Sequence, residues 1–300
     1  MKRPRNVALL SETSNAYARE LLHGIRSWLR EHGSWTLWLA EAGRGADPPA
    51  WIRDWRGDGI IARIETPAVA RVVAATGLPA VDVSAARLLP DLPWLETDDR
   101  AIAHMAAEHL RERGFRHFGY CGDARFNWSR WHGDAFAMHL ARHGFGCNLF
   151  EEPKPVRRGE ASADWETELE ALARWLRDLP KPVGIFAGYD IRGLQILEAS
   201  RRLELAVPDT VAVLGVDNDE LLCDLADPPL SSVIPDVRRT GYEAAALLDR
   251  IMRGAAITGE GRLFAPLGVA IRQSTDVVAV ADRHISAAVR IIREHACDGI

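Results

Sequence analysis

Side chains suited to holding a polyhydroxylated ligand recur at one kind of place in this 300-residue chain, directly after short apolar runs. The run NVALLSE (6–12) passes into Ser11, Glu12, Thr13, Ser14, Asn15, Tyr17 and Arg19. HFGYCG (117–122) is followed by Asp123, Arg125, Phe126, Asn127, Trp128 and Arg130. VGIFAG (183–188) is followed by Tyr189, Asp190 and Arg192, VAVLGV by Asp217, Asn218 and Asp219, and SSVI by Pro235 and Asp236. A carboxylate accepts two hydroxyl donors, arginine offers a rigid fork of donors, and an aromatic face covers the C–H side of a sugar ring. Each residue also has a plainer reading. An Asp after a strand, such as Asp98 or Asp190, commonly caps the next helix, and a single Trp such as Trp128 packs as readily as it stacks. The run at 217–219 is the most telling, because three acidic or amide residues crowd one strand end.

Catalytic patterns are poorer. No GxGxxG opens a helix, and GxxxxGK[ST], GxSxG and HExxH are missing from the sequence. His104/His109 and His139/His143 lie on helix faces with no acidic partner at a coordinating spacing, so neither a metal nor a cofactor is expected. Cys121, Cys147, Cys223 and Cys297 form no disulfide framework, and Cys121 beside Tyr120 reads as core.

The elements that must position these residues alternate in type. Strand-like runs at 6–12, 35–41, 58–64, 79–84, 117–122, 183–188 and 211–217 are separated by helical periodicity from 15 to Gly33, at 48–55, from 69 to Gly77, and at 99–113, 129–143, 164–179, 190–203 and 219–225. A helix at 237–253 and a strand-like stretch at 263–275 follow. Strands alternating with 10–15-residue helices predict βαβ units and parallel sheets. Unbroken apolar runs such as GII and AVLGV fit strands covered on both faces. The number of strands predicts two doubly wound lobes, in which ligands bind beyond the carboxyl ends of the strands. Of the ten tryptophans, Trp28 falls on the apolar face of the first helix, and Trp51 and Trp55 share a short one.

The net charge of −5 excludes a chain that is basic throughout, and 47% hydrophobic with 26% charged residues excludes disorder. The basic start MKRPR leads only to a short apolar run, unlike a signal peptide, and nothing approaches the roughly 20 apolar residues of a membrane span. A cytoplasmic protein with no membrane partner is expected.

AYARELLHGIR (16–26), TDDRAIAHMAAEHLRERGFRHFGY (97–120), SRWHGDAF (129–136), GIFAGYD (184–190), VAVLGVDNDE (211–220) and PPLSSVIPDVRRTGYEAAALL (228–248) follow one another in order. Together they resemble the effector-binding domain of LacI/GalR-type regulators. That resemblance implies an α/β fold of two doubly wound parallel-sheet lobes with three crossovers, like type I periplasmic binding proteins. LacI-type chains carry a helix-turn-helix before this domain, whereas here the first strand begins at once. The tail AVADRHISAAVRIIREHACDGI (279–300) is similar to the first helix of an AraC-type DNA-binding domain.

The resemblance implies lobes at 1–112 plus 236–262 and at 113–235 plus 263–278, then a linker and the truncated reader domain at 279–300. It implies a small-molecule sugar effector, a pentose and most specifically D-xylose, held between the lobes, whose closure is passed to the C-terminal domain and so to promoter DNA. Effector contacts carry over to Tyr17, Arg130, Tyr189, Asp190, Asp217, Asn218 and Asp236, with Tyr189 standing where Asn is usual; Trp128 is added as a ring-stacking residue. A homodimer is implied, through helices near 47–55 and 66–77. Two other uses of the fold stay open: a sugar-binding protein of a transport system, and an enzyme acting on a small sugar with Asp190 and Asp217 as acid and base.

Overall fold

A computed structural model describes residues 3–33, 35–150, 165–256, 259, 261–277 and 288. The chain opens with β1 (Arg5–Leu10), α1 (Ala16–His32), β2 (Trp35–Leu39), a 3-10 turn at Ala50–Arg53, β3 (Gly59–Ala62), α2 (Pro67–Thr76), β4 (Ala80–Asp82) and β5 (Trp94–Thr97). It continues with α3 (Asp99–Glu112), β6 (His117–Cys121), α4 (Asn127–Arg142), β7 (Asn148–Leu149), α5 (Trp165–Asp178), β8 (Val183–Ala187), α6 (Asp190–Arg202), β9 (Val211–Val216), α7 (Glu220–Leu225) and β10 (Ser231–Ile234). Then come α8 (Val237–Met252), β11 (Gly261–Phe264) and β12 (Gly268–Ala270).

These form two compact units: 1–98, 126–128 and 235–267 in the first, and 99–125, 129–234 and 268–300 in the second. The first unit holds a six-stranded sheet of order β11-β5-β4-β3-β1-β2, parallel throughout. The second holds a six-stranded sheet of order β12-β10-β9-β8-β6-β7. The inner strands are buried along their length, Gly59–Ala62, Val183–Ala187 and Val211–Val216 without exception, as expected of strands covered on both faces. Helices begin where the sequence offers caps. Asn15 accepts from the Ala18 N–H to start α1, and Thr66 accepts from the Val69 N–H, with Pro67 next, to start α2. Gly77 ends α2 in the left-handed conformation at φ 62°.

One helix crossing in the first unit depends on two glycines. A Cβ on Gly24 of α1 would lie 2.0 Å from the Arg238 carbonyl oxygen, and one on Gly241 of α8 would lie 2.1 Å from that of Leu21. The backbones of α1 and α8 therefore touch, which fixes where Tyr17 and Asp236 stand at the starts of these helices.

The structure corrects several expectations. The helix at 99–113 belongs to the second unit: Ile102, Ala103, Ala106, Ala107 and Leu110 pack with Phe118, Phe136, Phe186 and Leu214 of that unit. The lobe boundary at 112 therefore moves back to 98. Residues 263–267 move the other way, because Leu263 and Phe264 pair in β11 with Glu96 and Thr97 of β5. The stretch 263–275 is thus two strands in two sheets, and β12 runs antiparallel to β10, an exception to parallel pairing. Trp128, expected in the second lobe, groups with the first unit. The expected short helix at 48–55 is a 3-10 turn. The reader-domain tail at 279–300 lies outside the described residues apart from Ala288.

Candidate functional site

The strand ends of the first unit gather charge in a buried setting. Arg63 directly follows β3, with 9% of its side chain exposed. Its Nη2 donates to Glu65 Oε1 at 2.9 Å, and its Nε lies 3.5 Å from Glu12 Oε2. Its guanidinium carbon sits 4.7 Å from the centre of the Tyr17 ring, a cation–π placement. The Tyr17 hydroxyl donates to Glu96 Oε1 at 2.5 Å, and burial, then the Glu96 charge, push its pKa well above the ordinary 10.0. Tyr17 is therefore a buried link between α1 and β5.

Around this network lie side-chain atoms with unmet hydrogen-bonding capacity. Among the described residues, Ser11 Oγ, Glu12 Oε2, Asn15 Nδ2, Asp82 Oδ2 and Ser84 Oγ are buried without a hydrogen-bond partner. Such atoms are rare in folded proteins, because burying an unpaired polar group costs about 1–3 kcal/mol. Asp82 Oδ1 accepts from the Ser84 N–H at 2.9 Å, yet desolvation still raises its carboxyl to about 6. Ser11, Glu12, Arg63, Glu65 and Thr66 face the 42–49 loop across an open depression. Glu12 was legible as a strand-end residue, whereas Arg63, Asp82 and Glu96 were missed. A signal existed: Arg63 in DGIIARI and Asp82 in PAVDVS are charges set inside otherwise apolar strand runs.

Two further candidates belong to this unit. Trp128, half-buried, stacks on Phe126 with ring centres 5.5 Å apart and planes 20° apart, and the Arg44 guanidinium carbon lies 5.2 Å from its ring centre. Asp236 caps α8, accepting from the Arg239 N–H at 3.3 Å.

The second unit brings Asp190, Asp217 and Asn218 together and fastens them. Asp190, 2% exposed, accepts from the Asp219 N–H at 2.7 Å through Oδ2 and from the Ser232 hydroxyl at 2.6 Å through Oδ1. Ser232 Oγ also accepts from the Asn218 N–H at 3.0 Å, so one hydroxyl links both residues. Asp190 does not cap its own helix; Tyr189, half-buried and extended, holds the cap position without a side-chain bond. Desolvation, then the Asp217 charge, raise the Asp190 carboxyl well above 3.8. Gly215 is required beneath it, since a Cβ there would come within 2.3 Å of Asp190 Oδ1. Asp217 and Asn218 carry φ of 104° and 49°, and such backbone in non-glycine residues stores strain of order 1–3 kcal/mol each. The Asn218 side chain accepts from Arg272 Nη1 at 2.9 Å.

Arg130 is exposed on the first turns of α4. The arginine fork at this strand end belongs to Arg125, which clasps the buried Asp123 at 2.8 and 2.6 Å. Gly133, three residues after Arg130, is needed by packing: a Cβ would lie 2.8 Å from the Tyr120 ring.

Away from both strand-end sets, one expectation is overturned. His139 does have an acidic neighbour, Glu108, at 2.5 Å from its Nε2, and His143 Nε2 lies 4.0 Å from the same oxygen. Glu108 comes from α3, 31 positions earlier, where no spacing rule along α4 reaches it.

A periplasmic binding protein-like domain model matches residues 107–275, and a XylR N-terminal domain model matches residues 6–100. The chain is 31% identical over 302 aligned residues to the xylose operon regulatory protein of Escherichia coli K12, covering 98% of this chain and 75% of that one. It is 30% identical to the Haemophilus influenzae protein of the same name, covering 98% of this chain and 76% of that one. Among solved structures, that of the xylose-binding transcription activator xylR superposes with a TM-score of 0.84 at 29% identity, covering all of this chain and 77% of the other.

Proposed function

The chain belongs to the xylose operon regulatory protein family, and on that premise we propose that it is the sugar-sensing part of a cytoplasmic, non-catalytic transcription regulator whose effector is D-xylose. The observation that carries this reading beyond kinship is the set of buried polar atoms without hydrogen-bond partners at the strand ends of the first unit, Ser11 Oγ, Asp82 Oδ2 and Ser84 Oγ among them, beside the Glu12–Arg63 ion pair. The hydroxyls of a small sugar are donors and acceptors of the size and number those atoms lack. In the second unit Asp217 and Asn218, held in strained backbone, present the complementary polar groups beside Asp190, and we assign Tyr189 and Arg130 to the same set of contacts. Trp128 supplies a flat face, and Tyr17 and Asp236 shape their unit's side of the site.

A sugar contacted by both sets binds one arrangement of the units more tightly than another. It shifts their populations by that difference in affinity and by no more. We read this shift as the signal passed to an AraC-type DNA-binding domain beyond the described residues, and so to promoter DNA. A homodimer through the first unit fits the apolar surface there: Leu37, Trp38 and Leu39 of the edge strand β2 are 43–45% exposed, and Trp38 lies 5.7 Å from Trp51, ring centre to ring centre.

Isothermal titration with D-xylose tests the proposal. Binding heat with D-xylose, abolished in Asp217→Ala, is expected. Silence across a panel of pentoses overturns the sugar reading, and wild-type binding by Asp217→Ala overturns the site.

A further inference from the structure

We propose that the second unit carries a transition-metal site, of the class that takes Zn²⁺, formed by His139 and His143 of α4 and Glu108 of α3.

The three residues each offer one ligand atom, and these atoms all lie within 4.8 Å of one another. His139 Nε2 and His143 Nε2 stand 2.5 and 4.0 Å from Glu108 Oε1, on either side of the separation of about 3.3 Å that two ligands have around a tetrahedral ion with bonds near 2.0–2.1 Å. Small side-chain adjustments along these two contacts would seat the ion. The spacing is that of a helical clip: His139 and His143 are four residues apart on one face of α4, and Glu108 meets them from the neighbouring helix.

Outer contacts orient His143 and Glu108, while His139 Nε2, at 2.5 Å from Glu108 Oε1, holds the proton that the ion would displace. His143 Nδ1 lies 2.9 Å from the His139 carbonyl oxygen, a contact only an N–H can make. That places the ring proton on Nδ1 and the lone pair on Nε2, the atom that faces Glu108. Arg111 holds the carboxylate mainly through Oε2, with Nη2 at 2.5 Å and Nε at 3.2 Å, and its Nε also reaches Oε1 at 3.3 Å; Oε1 is the oxygen turned to the histidines. Donation of this kind from outside is how proteins commonly orient imidazole and carboxylate ligands. His104, four residues before Glu108, places its ring 4.6 Å from that of His139, centre to centre, and brings an imidazole from α3 beside the set. The site is open, since the His143 side chain is 39% exposed and that of Glu108 32%. Three protein ligands and a solvent-facing fourth position, mixing nitrogen with oxygen, suit Zn²⁺ better than the all-oxygen preference of Mg²⁺ or Ca²⁺. A bound ion joins α3 to α4, both of which pack on the core of this unit.

The test is equilibrium binding of Zn²⁺ alone to the full chain, freed of metal by chelator, with thermal unfolding measured in parallel. One equivalent of Zn²⁺ and a raised Tm are expected for the wild type. His143→Gln changes an exposed residue and keeps the fold. It should weaken binding by more than the roughly tenfold to hundredfold typical of losing an outer-shell partner. His139→Gln should act the same way, and both should lose the Tm rise. No binding by the wild type, or binding left unchanged in both variants, overturns the proposal.

Discussion

The carboxyl ends of the parallel strands carry polar clusters in both units, but the clusters are finished differently. In the second, Asp190 has a donor on each oxygen, from the Asp219 N–H and the Ser232 hydroxyl, and Ser232 also serves Asn218. In the first, Ser11, Glu12, Asp82 and Ser84 keep buried atoms without hydrogen-bond partners around the Arg63–Tyr17–Glu96 link. The same topological position thus serves two ends. One cluster is a brace that holds a strained turn at Asp217 and Asn218 in place; the other holds polar capacity that the fold itself leaves unused. A carboxylate after a strand is therefore not a ligand contact by position alone. What distinguishes the two cases is whether the protein's own donors already saturate it.

The contrast can be broken most severely at Asp190. Asp190→Ala leaves two buried donors without an acceptor and should lower the unfolding free energy by about 4 kcal/mol, read from urea denaturation. Ser11→Ala in the other cluster should cost under about 1 kcal/mol while reducing D-xylose binding heat, since its buried hydroxyl has no hydrogen bond to lose. Equal stability losses at the two positions would erase the distinction between brace and contact.

Acid and base should also act on the units with opposite sign. Burial, then the Arg113 charge, bring His109 of the second unit down to about 3, while burial brings Asp82 of the first up to about 6. His109 stays neutral in the fold while the unfolded chain takes up its proton below about 6.5, so its contribution is present above that pH and is lost as pH falls toward 3. Asp82 has the raised pKa, so its contribution is present below about 3.8 and is lost as pH rises through 6. His109→Gln should flatten the acid limb of stability against pH by roughly 5 kcal/mol, and Asp82→Asn the limb between 4 and 6 by roughly 3 kcal/mol. Parallel curves for variant and wild type would remove these groups as the cause.

A gain in stability, rather than a loss, is expected at Asp217. Glycine adopts φ 104° without strain, so Asp217→Gly should raise stability by about 1 kcal/mol while removing the sugar heat. A loss of stability would make Asp217 a second brace and narrow the difference between the units.

How much of this was legible in one dimension varied by kind of feature. Apolar runs covered on both faces, helical periodicity, and glycines such as Gly33 and Gly77 are local signals, and they placed most of the strands and helices within a few residues, whereas β5 and the two-residue β7 carry too short a signal and were not read. The candidate positions after β8 and β9 were legible for the same reason. The assignment of α3 to the second unit was not, because its apolar face is equally amphipathic whichever sheet it covers. Nor were the roles of Arg63 and Asp82, whose meaning rests on Tyr17, Glu12, Ser84 and Glu65 arriving from other strands and helices.

By itself, then, the sequence determined the parallel α/β architecture, the family, and the strand ends at which polar chemistry collects, because period, caps and motif blocks are written in neighbouring residues. Tertiary structure alone decided which of those polar groups are already paired. Asp190 meets Ser232 from 42 positions away, and Glu108 meets His139 from 31. A hydrogen bond or a ligand set depends on distance in space, and only the packed sheets and helices bring such distant side chains within reach.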